Sequence, residues 1–372
     1  MVHIGHQAVG HDSQRGSVGG MYGHQQDRLL EACKQAMAQG VLFRYANPKE
    51  RRAVRRAPLR SMLVEPLPRA FAMAQAWRAL SEAERLRIIF ATVAQDHPTW
   101  AMCSISAAYV MGLTHTCWYH SQVHMAIPRR HRGAYAPQYI ARHVIPESAE
   151  IMTVNGIRTV TPERVLWECA QELPFQESLP IWDKAFRCKL TTRERMEQYL
   201  EGRASHCGVR VCKLLLRYAN PASESGGESA ARAVMLQLGF VEPQLQVTFR
   251  NVVDGRRIRP DFLWELEFGR KVAGEFDGMC KYKDEAILEG RDAEAVIIAE
   301  KDRETALNAL GIMVTRFGWD DVREPRLLER ELAKMGVPRV TGAELAARKA
   351  LALFHGKERD GVRLSLRGTE QS

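Results

Sequence analysis

The chain has 372 residues, of which 45% are hydrophobic and 26% are charged. This composition supplies a packed core and excludes collagen, a coiled coil and disorder as descriptions of the whole chain. At about 100–200 residues per domain, the length predicts two or three domains. The eight cysteines form no Cys-x-x-Cys pair, which favours reduced thiols. No apolar run approaches the ~20 residues of a membrane span and no signal peptide is visible, so we expect a cytoplasmic protein without a membrane partner.

The net charge of +9 is distributed unevenly. Residues 26–220 carry 28 Lys and Arg against 17 Asp and Glu, whereas residues 221–340 carry 18 against 22. A basic front suits a polyanion such as nucleic acid, and an acidic cluster in the back half suits a metal ion. Two solvated surfaces remain the alternative, because charge alone does not identify a ligand.

The first part of the chain predicts a winged helix-turn-helix. Residues 1–24 are rich in Gly, His, Gln and Ser and predict a disordered leader. Asn47 followed by Pro48 is a typical helix start. The order helix, basic helix, hairpin is that of a winged helix, which we expect over residues 25–74. The four predicted elements are a helix, an extended segment, a basic helix and a hairpin, at residues 27–37, 41–43, 49–57 and 62–71.

The basic helix carries the candidate nucleic-acid contacts of this front part. Two pairs of arginines stack at i, i+4, where like charges repel each other unless an anion lies nearby. A phosphate backbone supplies that anion. The alternative is a solvated face. The candidate contacts are five cations: Lys49, Arg51, Arg52, Arg55 and Arg56.

Residues 75–220 predict a mainly helical middle domain with a strand-like insert. Residues 121–128 and 151–160 alternate as strands do, and Asn155-Gly156 is a strong hairpin turn. No catalytic constellation is visible, and the segment that contains His115, His120 and His124 favours a strand or loop over a metal site. The predicted helices span residues 75–80, 81–93, 103–111, 162–173, 179–186 and 191–200.

The composition of residues 220–227 indicates a linker, and we place a domain boundary there. Residues 221–336 then predict an αβββαβ unit, and residues 337–372 a helix over 343–354 with a frayed end. The predicted order is a helix, three strands, a helix and a strand, over residues 228–238, 244–253, 257–264, 271–277, 292–310 and 312–317.

The second and third strands of this unit carry the sharpest chemical signal. If they form a hairpin that turns at residues 267–269, Asp261 lies opposite Glu275. Asp277, two residues further on, points to the same face as Glu275. Such a cluster of carboxylates repels itself without a cation, and hard oxygen ligands suit Mg²⁺ or Mn²⁺, which activates water. The alternative is an edge of exposed carboxylates.

Several other residues are candidates for the same chemistry. Glu228 is explained by a capping box with Ser225, and it is also a candidate metal ligand; the two roles are compatible. Arg316 places a cation on an otherwise apolar strand face. Three lysines could orient a nucleophile or hold a phosphate: Lys281, Lys283 and Lys301.

The back unit resembles a known nuclease superfamily. Pro260-Asp261, followed on the next strand by Gly274-Glu275-Phe276-Asp277-Gly278, is similar to the PD-(D/E)XK superfamily. In particular it resembles the branch that contains the very-short-patch-repair endonuclease. Lys281-Tyr282 and the run from Ala299 to Arg316 are similar to the same branch, and that run includes Arg303 and Arg316 as candidate nucleic-acid contacts.

This resemblance implies a metal-dependent phosphodiesterase core. It implies that Mg²⁺ is held by a helix acid and two strand acids, Glu228, Asp261 and Glu275. One residue departs from the pattern: the lysine that the superfamily has two positions after the second acid is Asp277 here. Lys281 or Lys301 would then replace that lysine, or catalysis would be weak or lost.

The front half resembles a second family. The runs Cys103–Leu113 and Gly156–Leu166, after a winged helix, are similar to the abortive-infection (AbiEi-type) antitoxin family of type IV toxin–antitoxin pairs. Members of that family are transcriptional repressors that bind promoter DNA. The resemblance implies DNA as a partner and admits a cognate toxin and a homodimer. Here the first helix of the helix-turn-helix pair is barely present before Asn47.

We therefore predict an α+β protein with a winged helix-turn-helix, a helical middle region and a PD-(D/E)XK (restriction-endonuclease-like) αβββαβ domain. The first functional hypothesis is a DNA-binding, Mg²⁺-dependent endonuclease. The second is a transcriptional regulator of antitoxin type that keeps a catalytically silent nuclease fold. A third is an RNA-binding or interaction module, because nothing in the sequence separates DNA from RNA.

Overall fold

The fold of the chain is mixed α+β in the computed structural model. The structure describes residues 15–352 except 57–58, 118–119, 132, 134–136, 147–148, 204–207, 253 and 279–301. Among the predicted site residues, Lys281, Lys283 and Lys301 lie outside the described residues.

The first part of the chain forms a small three-stranded antiparallel sheet with three helices. The sheet order is β1-β3-β2, and the hairpin of β2 and β3 confirms the predicted one. Asn47 Oδ1 accepts hydrogen bonds from the backbone N–H groups of Lys49 and Glu50, so the predicted helix start is confirmed. The elements are α1 (Arg15–Ala38), β1 (Phe43–Arg44), α2 (Pro48–Val54), α3 (Leu59–Met62), β2 (Leu63–Leu67) and β3 (Ala70–Met73).

Two predictions for this part are corrected. Helix α1 begins at Arg15 and not at Asp27, so residues 15–24 of the predicted leader are helical. Their glycines lower helix propensity by up to ~1 kcal/mol each, which is why composition predicted no helix there. The predicted basic helix ends at Val54, and a separate short helix, α3, follows Pro58.

The middle part has more sheet than the sequence indicated. Five strands pair in the order β6-β5-β4-β8-β7, with β5 parallel to β6 and β4 parallel to β8. The hairpin at Asn155-Gly156 is confirmed, and both residues have positive φ. Strands β4 and β6 and helix α10 were not predicted. The strands are β4 (Ala101–Met102), β5 (Val123–Pro128), β6 (Ile140–Ile145), β7 (Ile151–Val154) and β8 (Ile157–Val160).

Helices pack around this sheet and enclose the largest buried apolar cluster of the described residues. The predicted helices of this part are present within a few residues of their expected bounds. The helices are α4 (Ala74–Ala79), α5 (Glu82–Asp96), α6 (Ser104–Val110), α7 (Pro162–Glu172), α8 (Phe175–Arg187), α9 (Arg193–Glu201) and α10 (Val209–Tyr218).

The back part contains a four-stranded mixed sheet in the order β14-β13-β12-β9. Strands β13 and β14 are parallel, and the other neighbours are antiparallel. Two predicted strands are each divided, because β10 and β11 pair separately as a small ribbon. The strands are β9 (Gln244–Leu245), β10 (Phe249–Arg250), β11 (Arg257–Ile258), β12 (Phe262–Glu265), β13 (Lys271–Asp277) and β14 (Ile312–Gly318).

The helices of the back part cover this sheet. Only residues 302–309 of the predicted helix over 292–310 are helical within the described ranges, and we label them α12. None of the helices that the structure describes combines the length and apolar character needed to cross a membrane. The remaining helices are α11 (Gly226–Gln237), α13 (Trp319–Arg323), α14 (Pro325–Lys334) and α15 (Gly342–Ala352).

Helix α11 belongs to two cores at once. Ala230 and Val234 lie in the apolar cluster of the back sheet, whereas Ala233 and Leu236 lie in the cluster of the middle part. The middle part and the back part therefore pack tightly against each other through α11, across the domain boundary predicted at residues 220–227. Helix α11 is thus packed on two sides.

Candidate functional site

The predicted hairpin of β12 and β13 has the predicted register. Phe262 pairs with Gly274 and Glu265 with Lys271, and a single 3₁₀ turn over Glu267–Gly269 connects the strands. Asp261, one residue before β12, accepts a hydrogen bond of 2.8 Å on Oδ2 from the Phe276 backbone N–H. This bond ties the Asp261 carboxylate to the strand segment that carries Glu275.

Glu228 lies in the first turn of α11. Ser225 caps the helix, because its hydroxyl accepts a hydrogen bond of 3.1 Å from the Glu228 backbone N–H. The Glu228 carboxylate bonds back through Oε2, but to the backbone N–H of Glu224 at 2.8 Å instead of that of Ser225. The predicted capping role is thus present in a modified form, and it leaves the carboxylate directed toward the sheet.

Gln246 joins two of these acids, and sequence reasoning missed it. Its amide Nε2 donates to Glu228 Oε2 at 3.1 Å and to Asp261 Oδ1 at 3.3 Å. Its backbone has a φ of 56°, a conformation that non-glycine residues rarely adopt. Such residues often lie at functional sites. A lone glutamine after a short strand carries no motif, so only the three-dimensional arrangement identifies it.

Glu275 has an unusual environment for a carboxylate. Its side chain is 13% exposed, and Oε2 lies 3.5 Å from the guanidinium Nη1 of Arg303. The other oxygen, Oε1, is buried and has no hydrogen-bond partner among the residues that the structure describes. Burial, and then the negative charge of Asp261, raise the pKa of Glu275 to about 7. A buried, unpaired carboxylate oxygen is costly, and it is a coordination position available to a cation.

The pKa values of all three acids are raised, and burial is the largest cause in each case. Burial raises the pKa of Glu228, and the charge of Asp261 adds to that rise. Burial is also the main reason that the pKa of Asp261 is raised. Each anion is thus disfavoured by removal from water and by its neighbours, a situation that a bound cation relieves. The donor set, all carboxylate oxygens, fits a hard divalent cation.

The spacing of the acids limits how such a cation could bind. Among the described residues, two groups of three side chains have all their ligand atoms within 4.8 Å of one another, and neither group contains Glu228, Asp261 or Glu275. The predicted convergence on one point is therefore looser than expected. Mg²⁺ retains several waters and needs only one or two direct carboxylates, so this spacing suits it better than a closed protein cage.

The remaining predicted residues of the back part surround this cluster. Asp277 ends β13 and is the register partner of Gly318. Arg316 is the register partner of Glu275 on β14 and forms an ion pair of 3.5 Å with Glu304. Both Arg303 and Arg316 lower the pKa of Glu275, against the larger effect of burial.

A close contact sets the approach of α11 to the strands. A Cβ on Gly227 would lie 2.1 Å from Cε1 of the Phe276 ring, so a side chain here would require the ring or the helix to move. Phe276 stands between Glu275 and Asp277, and Glu228 follows Gly227. The contact between glycine and ring therefore brings the helix acid to the strand acids.

The raised pKa of Glu275 predicts a pH dependence of stability. In the folded chain this carboxyl holds its proton up to about pH 7, whereas its ordinary value is 4.5. The folded state thus binds more protons between these values, and the free energy of unfolding falls as pH rises across that window, by roughly 3 kcal/mol. Urea unfolding in EDTA at pH 5 and pH 8 should show this fall. Glu275→Gln should lose most of it; an equal fall in that variant would contradict the assignment.

The five predicted cations of the front part all lie on the surface. Lys49, Arg51, Arg52, Arg55 and Arg56 are exposed on α2 and just after it. Arg55 also lines a cavity of about 520 Å³ between α2 and the β2–β3 hairpin, together with Arg60 and Arg78 from outside the predicted set. The cationic surface therefore extends from α2 to neighbouring elements, which the helical spacing alone did not indicate.

No protein-family model matches the chain. Two curated proteins of Mycobacterium tuberculosis, from strains CDC 1551 and H37Rv, are each 27% identical to it over 187 residues. Both are named as uncharacterized proteins. The match covers 50% of this chain and 64% of each relative, so the chain spans just under two thirds of their length. The chain is similar to these proteins, and their names carry no activity.

Proposed function

We propose that this chain is a cytoplasmic DNA-binding protein whose back part is a Mg²⁺-dependent endonuclease that hydrolyses phosphodiester bonds. The observation that carries the proposal is the buried Oε1 of Glu275, which no described residue hydrogen-bonds, in a cluster with Asp261 and Glu228. A protein that used this fold only as a scaffold would gain stability from replacing such a carboxylate.

The topology supports the same proposal. A helix, an antiparallel hairpin and a parallel strand added beside it, in the sheet order β14-β13-β12-β9, agree with an αβββαβ core. In the PD-(D/E)XK superfamily, which the sequence resembles, the acids lie on the corresponding helix and strands. The front part, with the element order helix, strand, two helices and hairpin, supports a winged helix.

Glu228, Asp261 and Glu275 would hold the Mg²⁺ ion, which supplies charge neutralisation at the phosphate and a more acidic water. The chain's own residues prepare this site. Gln246 and the Phe276 N–H position Asp261, and the Arg303 guanidinium, half exposed beside Glu275, can bind a phosphate oxygen. The family resemblance assigns the orientation of water to Lys281 or Lys301.

Cleavage of supercoiled plasmid tests this function. Full-length protein should nick the plasmid with Mg²⁺ or Mn²⁺ and not with EDTA. Glu275→Gln, which removes one charge with little change of shape, should reduce nicking at least ~100-fold, as expected when charge stabilisation at the reacting phosphate is lost. Glu265→Gln is the matched control, because Glu265 lies on the same hairpin but pairs with Lys271 at the surface. Equal activity of wild type and Glu275→Gln would overturn the assignment.

A transcriptional regulator of antitoxin type, with a silent nuclease fold, is the second candidate. The exposed cations of α2 favour it, since arginines on a short helix can contact phosphates or bases. We propose DNA as its ligand, with a cognate toxin and a second copy of the chain as further partners. Salt-sensitive gel shifts that Arg51→Ala/Arg55→Ala abolishes, without cleavage under any metal, would favour this candidate over the nuclease.

A further inference from the structure

A second polar cluster lies in the middle part, away from the carboxylates of the back sheet. His124 on β5 and His143 on β6 extend from neighbouring parallel strands, and Glu172 ends α7 beside them. His124 is 1% exposed, His143 20% and Glu172 15%. The cluster is thus enclosed on the His124 side and open to water on the His143 side, which gives a small ligand a way in.

The distances in this cluster are those of a ligand set. His124 Nδ1 lies 2.9 Å from His143 Nε2 and 3.5 Å from Glu172 Oε2. Ligand atoms at about 2.0–2.1 Å from a tetrahedral metal ion are about 3.3 Å apart, so the two separations from His124 lie on either side of that value. Glu172 Oε1 also lies 3.7 Å from the other ring nitrogen of His143, Nδ1. The three residues form one of the two groups whose ligand atoms all lie within 4.8 Å.

A second group overlaps the first and adds a thiol. Cys103, His143 and Glu168 also have ligand atoms within 4.8 Å of one another, so His143 is common to both groups. Glu168 already has a cation, because Arg164 Nε lies 2.7 Å from its Oε1. The group of His124, His143 and Glu172 does not include Cys103, so the thiol lies beside that group and is not one of its ligands.

The surrounding hydrogen bonds orient the cluster. The Ser104 hydroxyl donates to Glu172 Oε2, and the Ser104 backbone N–H donates to Glu168 Oε2 at 2.9 Å. Ser104 has a φ of 48°, a conformation that costs free energy in a non-glycine residue. Carboxylates that ligate metals are commonly held by such hydrogen bonds, which fix the orientation of the ligand. The strained residue Ser104 therefore lies directly beside the ligand set and orients one of its members, Glu172.

We propose that His124, His143 and Glu172 bind a divalent transition-metal ion of the Zn²⁺ class. Two imidazoles and a carboxylate are a common zinc ligand set, and the same donors exclude a preference for Mg²⁺. The two ring nitrogens, 2.9 Å apart, would separate by about 0.4 Å when they bind the ion. This site is independent of the proposed nuclease site, because it uses no residue of the back sheet.

Zinc titration of the full-length chain tests the proposal. Four histidines near the start of the sequence could bind zinc nonspecifically, so the reference protein carries His3, His6, His11 and His24 changed to Gln. After EDTA treatment and dialysis, calorimetry and elemental analysis should show one Zn²⁺ per chain. His143→Gln should lose this stoichiometric binding. His115→Gln, a change at a histidine beside Lys184 and outside the cluster, should retain it.

Further readouts separate a metal site from a hydrogen-bonded histidine pair. Ser104→Ala should weaken Zn²⁺ binding by about 10–100-fold through loss of the bond to Glu172. Co²⁺ in place of Zn²⁺ should give the ligand-field bands of a four-coordinate site, and this measurement needs no variant that could misfold. Glu275→Gln should bind Zn²⁺ as the reference does. No stoichiometric Zn²⁺, or undiminished binding by a folded His143→Gln, would overturn the proposal.

Discussion

Replacing Arg232 by methionine is expected to lower the free energy of unfolding by about 3–5 kcal/mol. Arg232 is fully buried in α11, and its Nη2 donates to both carboxylate oxygens of Asp183 at 2.9 and 2.8 Å. Its Nη1 donates to the carbonyl oxygen of Tyr218 at 2.6 Å. Asp183, on α8, is also fully buried, and burial raises its pKa. Without Arg232 this carboxylate would lose its cation while it remains out of water.

Urea unfolding of two further variants makes this prediction specific. Asp183→Asn in the Arg232→Met background removes the unpaired charge and keeps an acceptor for the Asn220 backbone N–H, so it should recover at least half of the loss. Arg217→Met is the control: Arg217 pairs with Glu344 at the surface, and such pairs contribute ~0–1 kcal/mol. If Arg232→Met cost no more than the control, the buried pair would not hold α11 to α8.

The second large effect is expected from Gly227→Ala. The new Cβ would lie 2.1 Å from Cε1 and 2.7 Å from Cζ of Phe276, so either the ring or the helix must move. Overpacking of this kind costs about 1–3 kcal/mol of stability. Displacement of the neighbouring Glu228 by about 1 Å should also reduce the proposed DNA cleavage about 100-fold.

Gly226→Ala is a matched control for this prediction. A Cβ at Gly226 would meet no atom within 4 Å, although it lies in the same helical turn. Phe276→Leu in the Gly227→Ala background should restore stability, because the smaller side chain vacates the position of the ring edge. Thermal unfolding and plasmid nicking measure the two consequences separately. Equal melting temperatures for the two alanine variants would contradict the close contact.

Local signals made the hairpin of the candidate site predictable. A turn at residues 267–269 and alternation on both sides determine the register, so the pairing of Phe262 with Gly274 was predicted from the sequence. The start of α2 was predictable for the same reason, since Asn47 and Pro48 act within one turn. Neither inference needed any contact between residues distant in the sequence.

Long-range contacts account for what the sequence did not reveal. Gln246 contacts Glu228 and Asp261 because β9 pairs with β12. Strands this short carry no sequence pattern that predicts their partner. His124 and Glu172 are separated by 48 residues, and only the parallel pairing of β5 with β6 and the packing of α7 bring them to His143. No periodic pattern in the sequence predicts a buried ion pair such as that of Arg232 with Asp183.

The position of β13 between a near and a distant partner has a consequence for the order of folding. Five residues separate β12 from β13, whereas 34 separate β13 from β14. Closing a short loop costs less conformational entropy, and parallel pairing needs the long crossover. Arg316 joins Glu275 only when that crossover closes. Until then the carboxylate can stay hydrated and ionise with its ordinary pKa. The free-energy cost of its desolvation therefore falls on the last step of sheet assembly, the pairing of β14 with β13, and not on formation of the β12–β13 hairpin.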